Sequence, residues 1–588
     1  MSALSKMTVF SGDIEGAAGR DLPDPGRLAV TDSALNRSLA SVGRALVVNG
    51  GGYGVAAAAG LGTCALLGVN PMYDLAVVGA CAYHVTQRAW EGWSWYLRGG
   101  YAAQRRRRKY QGEANPLEVH QALSPAFAAK KMARLAPGLP AERSYLSLGY
   151  TVHRPHQAVA VSRAESVGVF GVPQSIKTAL ISGWILDAPG PVLATSSRGD
   201  QYRHTVTERE KLGPVLTLDA DGYGPGTTFS WSPVDDCRDP AVAMRRAGDF
   251  MDASPKDPGG KDRWHEDRGA KLLRWALHAA ALTGGSMFDV RAWVLNPEAE
   301  AFAKALRGER AAPGWADGLE SMLAMEGDLL SAAVSSAEAA LGWMDDPQLA
   351  AVACPRPGQG LGIAEFLRQG NGTVYLIGAE RPYGSLTPFF SAFVTEFMEQ
   401  ARILAEQQGG RLRMPLLVAA DEAATTARID FKRWLAVTAG YNITVVAGFQ
   451  AVSQIETGWG GPAEAETILE MLSTKVIAGG FTSTATLERL AVICGEHDSW
   501  HKEGGARVRT KERTFPPERI RQLPLFNALV IQRNAKPVQV RITPVWEHPA
   551  HQEVVITDEP EPGARFPDRL TLHPDAPEPP APADTTEE

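Results

Sequence analysis

The sequence predicts a mixed α/β protein: a mostly parallel sheet covered on both faces, an all-α unit inserted into it, and an N-terminal helical hairpin that spans a membrane. Three observations predict this. Short apolar runs alternate with helical stretches, as fully buried parallel strands do. Between about 255 and 355 that alternation gives way to helical periodicity rich in Ala and Leu, as in KLLRWALHAAAL from Lys271 to Leu282. Near the N-terminus, Ala45 to Val69 runs without a charge, which is long enough to cross a bilayer.

The first 30 residues hold Gly, Pro and Asp and no apolar run behind a basic start, so they read as a flexible lead-in (1–40) without a cleavable signal. The anchor is placed at 41–97. After the first run, Asn70, Pro71 and Asp74 break the pattern, and a shorter apolar stretch follows from Leu75 to about Val85. Arg37 and Arg44 precede the pair, and Arg98 and the basic run Arg105–Lys109 follow it. Positive flanks on both sides put both ends on the cytoplasmic side. Trp90, Trp93, Trp95 and Tyr96 stand where an interfacial aromatic belt belongs. The other reading of these residues is a helical hairpin buried in a soluble protein.

Beyond the basic run the strands are expected at Val167–Phe170, Val192–Thr195, Val215–Leu218, Thr373–Ile377, Leu416–Ala420, Thr444–Ala447 and Lys475–Ala478. Helices are expected from about Lys177 and from Thr387 to Gln408. From about Val545 onward Pro, Glu and Asp dominate, and 546–588 reads as a disordered acidic tail.

At 588 residues the chain exceeds one compact core, and two to four domains are expected. Hydrophobic residues make up 44% and charged residues 21%, an ordinary globular balance. The last 44 residues hold eleven acids and two arginines, so the net charge of −7 leaves the body near +2. Net charge therefore neither supports nor excludes nucleic-acid contact. Five scattered cysteines without a Cys-x-x-Cys pair speak against a zinc site or a disulfide framework.

Three segments carry chemistry. GVPQSIKT, Gly171 to Thr178, follows a strand and opens a helix. A phosphate-binding loop needs backbone N–H groups around the phosphates, a lysine that reaches them and a hydroxyl for magnesium. Gly171, Ser175, Lys177 and Thr178 suit that task. Ile176 stands where the second glycine of such a loop belongs. A β-branched side chain there is expected to hold the backbone aside, at about 1–3 kcal/mol, and so to weaken ATP roughly tenfold to a hundredfold. Read alone, the segment is also a strand–turn–helix with an incidental lysine. The second segment, PLLVAADEA from Pro415 to Ala423, is an apolar strand ending in Asp421–Glu422. An aspartate there can hold the magnesium shell and the adjacent glutamate can polarise water. Acid pairs also begin helices for electrostatic reasons alone. The third is Gln450 at the end of ITVVAGFQ, followed by Gln454, either a sensor of the phosphate or a polar strand end.

In combination these segments resemble the TraG/TraD-type coupling ATPases of conjugative (type IV) secretion. PLLVAADEA, TVVAGFQAVSQIETGWG and STKVIAGG carry the resemblance, with PVLATSSRGDQYRHTVTERE and FSWSPVDD upstream and RQLP and ALVIQRNAKPVQVRI downstream. It implies a RecA-like P-loop domain in two parts, 98–254 and 361–545, interrupted by the all-α insertion 255–360. It implies ATP and Mg2+ as ligands, with Gly171, Ser175, Lys177 and Thr178 on the nucleotide and Thr178 and Asp421 at the metal. Glu422, Lys177 and Gln450 would be the catalytic groups. It further implies a homo-hexameric DNA translocase in the inner membrane, multi-pass, with its bulk in the cytoplasm. Its partners would be DNA, a relaxase or other secretion substrate, channel membrane proteins and membrane lipid. Ser196–Ser197–Arg198 departs from the Asp-Pro-Lys of many relatives, and Phe481–Thr482–Ser483 lacks the acid often found there. The alternatives are an FtsK-type DNA translocase and a non-hydrolysing assembly scaffold.

Overall fold

The strands expected from the sequence are short and mostly apolar, and such a strand is stable only with a layer on each face. The computed structural model shows those layers. The structure describes residues 112–552, except 154, 223, 255–262, 357, 382–384 and 504–505. The lead-in, the membrane hairpin and the tail beyond 552 therefore lie outside the described residues. Among the described residues no helix is long and apolar enough to cross a membrane.

In chain order the strands are β1 (Tyr145–Thr151), β2 (Ala158–Ser162), β3 (Val167–Phe170), β4 (Val192–Ser196), β5 (Val215–Asp219), β6 (Thr373–Ile377), β7 (Leu416–Ala420), β8 (Ile443–Phe449), β9 (Thr474–Ala478), β10 (Glu496–Glu503), β11 (Ala506–Arg513), β12 (Asn527–Gln532) and β13 (Val538–Arg541). Eleven form one sheet in the order β2-β1-β13-β12-β9-β3-β8-β7-β4-β6-β5, and β10 and β11 form a separate ribbon. The stretch β9-β3-β8-β7-β4-β6-β5 is wholly parallel. Antiparallel pairing through β12, β13, β1 and β2 extends it on one side.

Period-two alternation sorts the strand residues between two cores. In β7, Leu416, Val418 and Ala420 face one core, while Leu417 and Ala419 face the other. Ile443, Val445, Ala447 and Phe449 of β8 join the first core and Val446 the second. The Lys177–Leu186 helix fills the second core with Leu180, Ile181, Trp184 and Ile185. The helix Thr387–Gln407 covers the first, its opening half buried nearly all round.

Helices occupy the chain between β5 and β6 from Pro240–Ala253 to Ile363–Gln369. The first begins well before 255, where Asp239 accepts from Ala241 N–H and Pro240 takes the first helical position, a start signal inside a loop-like sequence. This helical block is tied to Thr387–Gln407 by buried charges. Glu396 accepts from Arg245 Nη2 at 2.5 Å and Arg246 Nη2 at 2.7 Å. Arg246 also donates to Pro233 O at 2.7 Å and lies 4.8 Å over the Trp231 ring.

Strands β1 and β2 have no counterpart among the sequence expectations. β1 is interrupted at Gly149, where the register shifts and φ is +91°. A Cβ there would come within 2.0 Å of Arg541 O, so close pairing with β13 requires glycine. The ribbon β10–β11 was likewise not foreseen, because it has no apolar face to imprint a pattern. Residues 546–552, placed at the start of the acidic tail, pack on the body: the Trp546 ring meets Phe526 edge-on, and His548 Nε2 lies 3.1 Å from Asp187 Oδ1.

Replacing Glu396 by alanine leaves two largely buried guanidinium groups without their carboxylate, and is expected to cost about 3–5 kcal/mol. A lowered unfolding temperature with loss of the helical block's protection from proteolysis would register it. Although burial opposes ionisation, Arg246 and Arg245 together hold the Glu396 carboxyl down to about 2 from its ordinary 4.5. Because the folded value is depressed, this stabilisation is complete above pH 4.5 and is lost as pH falls through about 2. The stability difference between parent and Glu396→Ala should therefore narrow on acidification across that window.

Candidate functional site

The site lies at the C-terminal tips of β3, β8 and β7, and their order decides what meets there. Since β8 sits between β3 and β7, the loop after β3 is flanked by the β8 tip and faces the end of β7. The registers are level, with Phe170 opposite Phe449 and Ala420 opposite Ala447. The tips are also bonded together. Gly171 N–H donates to Phe449 O at 3.0 Å, Ala423 N–H to Gly448 O at 3.1 Å and Asp421 N–H to Thr195 O at 2.9 Å. The Phe170 and Phe449 rings stack at 5.4 Å.

On this frame the loop Gly171–Thr178 turns into its helix. A Cβ on Gly171 would lie 2.4 Å from Ser175 Oγ and 3.1 Å from Ala478 Cβ, so any side chain there would displace the Ser175 hydroxyl. Gln174 takes φ +58°, the left-handed conformation such a loop needs. Lys177 is buried and donates from Nζ to Gly171 O at 2.6 Å and Val172 O at 3.2 Å. Burial pushes its ammonium below the usual lysine range, against the pull of Asp421 and Glu422.

Thr178 donates from Oγ1 to Asp421 Oδ2 at 2.7 Å across 243 residues of sequence. Asp421 is 3% exposed, and its Oδ1 has no hydrogen-bond partner. Burial pushes its carboxyl above the usual range, and the Thr178 hydroxyl and Lys177 oppose the shift. Ser175 Oγ is likewise buried without a partner. Beside it, Glu422 holds φ +56° and accepts from Gln450 Nε2 at 2.9 Å. Gln450 is itself fixed, because its N–H donates to Gln454 Oε1 at 2.8 Å.

All seven residues singled out from the sequence, Gly171, Ser175, Lys177, Thr178, Asp421, Glu422 and Gln450, therefore belong to one cluster. A divalent cation fits it chemically. The hydroxyl of Thr178 and the orphaned Oδ1 of Asp421 are hard oxygen ligands, which suit magnesium when waters and phosphate oxygens complete its shell. Among the described residues no group of three or more His, Cys, Asp or Glu could hold a metal by itself, so such an ion would depend on its other ligands.

Two supporting residues were missed. Gly448 sits inside the apolar strand ITVVAGF, and a Cβ there would meet Asp421 Oδ1 at 2.8 Å. A glycine within a strand signals close backbone approach, and that signal was present. Gln174 carries the loop's strained φ, and the sequence gives no sign of it.

Ile176 stands in a backbone geometry that does not call for glycine. Its backbone is ordinary right-handed helical, φ −80° and ψ −8°, so no left-handed conformation is asked of it. The side chain is 1% exposed and belongs to the second core with Leu180 and Ile181. It is an anchor for the first helical turn.

Residues 415–525 match the family model described as the TraM recognition site of TraD and TraG, a span running from the start of β7 to the segment before β12. No curated protein matches the sequence. Among solved structures, the bacterial conjugative coupling protein TrwBdeltaN70 in its unbound monoclinic form is similar at a TM-score of 0.55 and 20% identity, covering 73% of this chain and 95% of that one. The plasmid coupling protein TrwB in complex with ADP and Mg2+ gives 0.51 at 20% identity, covering 70% and 92%. Its complex with the non-hydrolysable GTP analogue GDPNP gives 0.51 at 19% identity with the same coverage. The mixed α/β fold thus resembles that of TrwB, and the resemblance to TraG/TraD-type coupling proteins read from the sequence is borne out.

Since Ile176 is a core side chain, Ile176→Gly should lower stability by about 2–5 kcal/mol and leave nucleotide affinity no tighter than in the parent. Thermal unfolding and nucleotide titration of both chains check this. Tighter binding by the glycine variant would restore the strain account.

Proposed function

We propose that this chain is a membrane-anchored P-loop ATPase that couples DNA, carried by a relaxase or a similar substrate, to a conjugative secretion channel and drives its translocation. The observation that carries the reading is the pairing of Thr178 with Asp421 at 2.7 Å beside that of Gln450 with Glu422 at 2.9 Å. Three segments far apart in sequence present a lysine, a hydroxyl, two carboxylates and an amide around one loop. Family likeness adds support: the matched span is named for TraM recognition, and TrwB has been solved in complex with ADP and Mg2+ and with nucleotide analogues.

ATP would lie on the loop, its phosphates taking backbone N–H groups around Gly171 and the Ser175 hydroxyl. Bound Mg2+ would neutralise charge that develops between the outer phosphates. Lys177, released from Gly171 O and Val172 O, would reach the phosphates, since a buried ammonium is worth most where its counter-charge is also desolvated. Thr178 and Asp421 would hold the metal shell. Glu422 would accept a proton from the attacking water, and Gln450 would keep it aimed through its amide N–H. Release of the Gln450–Glu422 bond on phosphate departure would pass the change to β8 and to Gln454.

The uncharged run Ala45–Val69 with its basic flanks supports anchoring in the inner membrane with the α/β body on the cytoplasmic side. A homo-hexameric ring with nucleotide between subunits, as the family resemblance implies, completes the reading.

Lys177→Ala should abolish DNA transfer between cells and ATP turnover while the purified protein keeps the parent's unfolding temperature within a few degrees. Undiminished transfer would remove the P-loop assignment. Glu422→Gln should hold nucleotide within a few-fold of the parent and turn over roughly a hundredfold more slowly or worse. Nucleotide affinity lost together with turnover would make Glu422 a structural residue.

A further inference from the structure

Among the described residues Gln201 alone has two buried side-chain polar atoms, Oε1 and Nε2, that both lack a hydrogen-bond partner, and it is 1% exposed. An amide left that way costs stability, because nothing replaces the water it gave up. Its place in the fold shows what would satisfy it. The helix Asp200–Leu212 joins the parallel strands β4 and β5, so it runs back across the sheet and opens at the C-terminal edge that holds the candidate site. Gln201 and Thr205, one turn apart, share a helix face. Thr205 Oγ1 lies 2.6 Å from Tyr375 Oη, and Tyr375 belongs to the second core. Gln201 therefore stands on the second-core side of the sheet, one turn nearer the strand tips.

The strand registers fix its neighbours there. Ala194 of β4 is level with Ala419 of β7 and with Tyr375 of β6, and all three are second-core residues. Two positions further along, the same face carries Ser196, Asp421 and Ile377. Ser196 thus stands beside Asp421, one strand spacing or about 4.8 Å away. The two strands have not splayed at this point, since Asp421 N–H still donates to Thr195 O at 2.9 Å. On its other flank Asp421 accepts from Thr178, whose helix packs against Asp200–Leu212. Gln201, Ser196 and Asp421, all buried, therefore make one polar row that ends at the proposed metal position.

We propose that Gln201 and Ser196 hold a water of the Mg2+ shell beside Asp421, and so are positioning residues for the metal. The inference rests on the nucleotide-site reading above and deepens it with two uncharged side chains. A water whose oxygen lies on the cation has two protons to give, and Gln201 Oε1 and Ser196 Oγ are acceptors for them. Gln201 Nε2 is left to donate to the next oxygen of the same shell.

The test uses the purified full chain in detergent, with a fluorescent ADP titrated first without metal and then with Mg2+ varied at fixed ADP. Gln201→Met, which keeps the length of the side chain and removes both polar atoms, should raise the half-saturating Mg2+ concentration roughly tenfold to a hundredfold. Its metal-free ADP affinity should stay within a few-fold of the parent. Its unfolding temperature without ligand should be no lower, since the orphaned amide is gone. Ser196→Ala should raise the same Mg2+ constant, and the double variant should fall short of the product of the two effects, because both act on one water. A parental Mg2+ constant in Gln201→Met overturns the proposal, and a lowered unfolding temperature alongside it makes Gln201 a structural residue. If Gln201→Met does not fold, Ser196→Ala decides: a parental Mg2+ constant there overturns the proposal equally. A parent that binds no ADP, or binds it without any response to Mg2+, overturns the nucleotide-site reading itself and the proposal with it.

Discussion

Everything at the candidate site depends on one constraint of the sheet, the insertion of β8 between β3 and β7. Parallel neighbours level their tips, so residues just past each strand end converge without any loop having to reach far. This is why a hydroxyl at 178 and a carboxylate at 421 can meet at 2.7 Å. Swapping β8 to the edge would bring β7 against β3 and leave Gln450 remote from Glu422. The glycine at 448 shows how tightly the order is used: only a strand without a side chain there lets Asp421 turn in beside β8.

Two buried charge systems play different roles in the same fold. Around Glu396 two arginines bond the carboxylate directly, and its pKa falls. That arrangement fixes the helical block on the Thr387–Gln407 helix, with both carboxylate-directed Nη2 groups engaged by Glu396. Around Lys177 and Asp421 the balance is reversed: burial wins over the mutual attraction, the acid moves up and the amine moves down. Asp421 Oδ1 and Ser175 Oγ have no partner. Unsatisfied polar groups in the candidate site carry a cost that a bound ligand would remove.

The parallel part of the sheet was legible because each of its strands is buried on both faces and reads as an uninterrupted apolar run. Val167–Phe170, Thr373–Ile377 and Leu416–Ala420 lie where the sequence places them, to the residue. β1 was hidden by its bulge at Gly149, which breaks alternation midway. Seven candidate site residues were legible because a Gly-initiated loop ending in Lys-Thr and an acid-tipped strand are patterns with few substitutes. Their support was not: Gln174 takes a conformation set by loop closure, and nothing about a glutamine announces φ +58°.

Ile176 shows where reasoning by motif stops and reasoning by geometry takes over. A glycine within a phosphate loop has two separable properties, freedom at positive φ and the absence of a side chain. Substitution is damaging only where one of them is used. Here positive φ falls on Gln174, and the side chain of residue 176 leaves the loop for the core it shares with Leu180 and Ile181. The chain thus uses an apolar residue to fasten the start of the helix that carries Lys177 and Thr178. A firmer first turn holds those two groups against Asp421 at lower entropic cost when a ligand arrives, so the departure from glycine is compatible with a preorganised site.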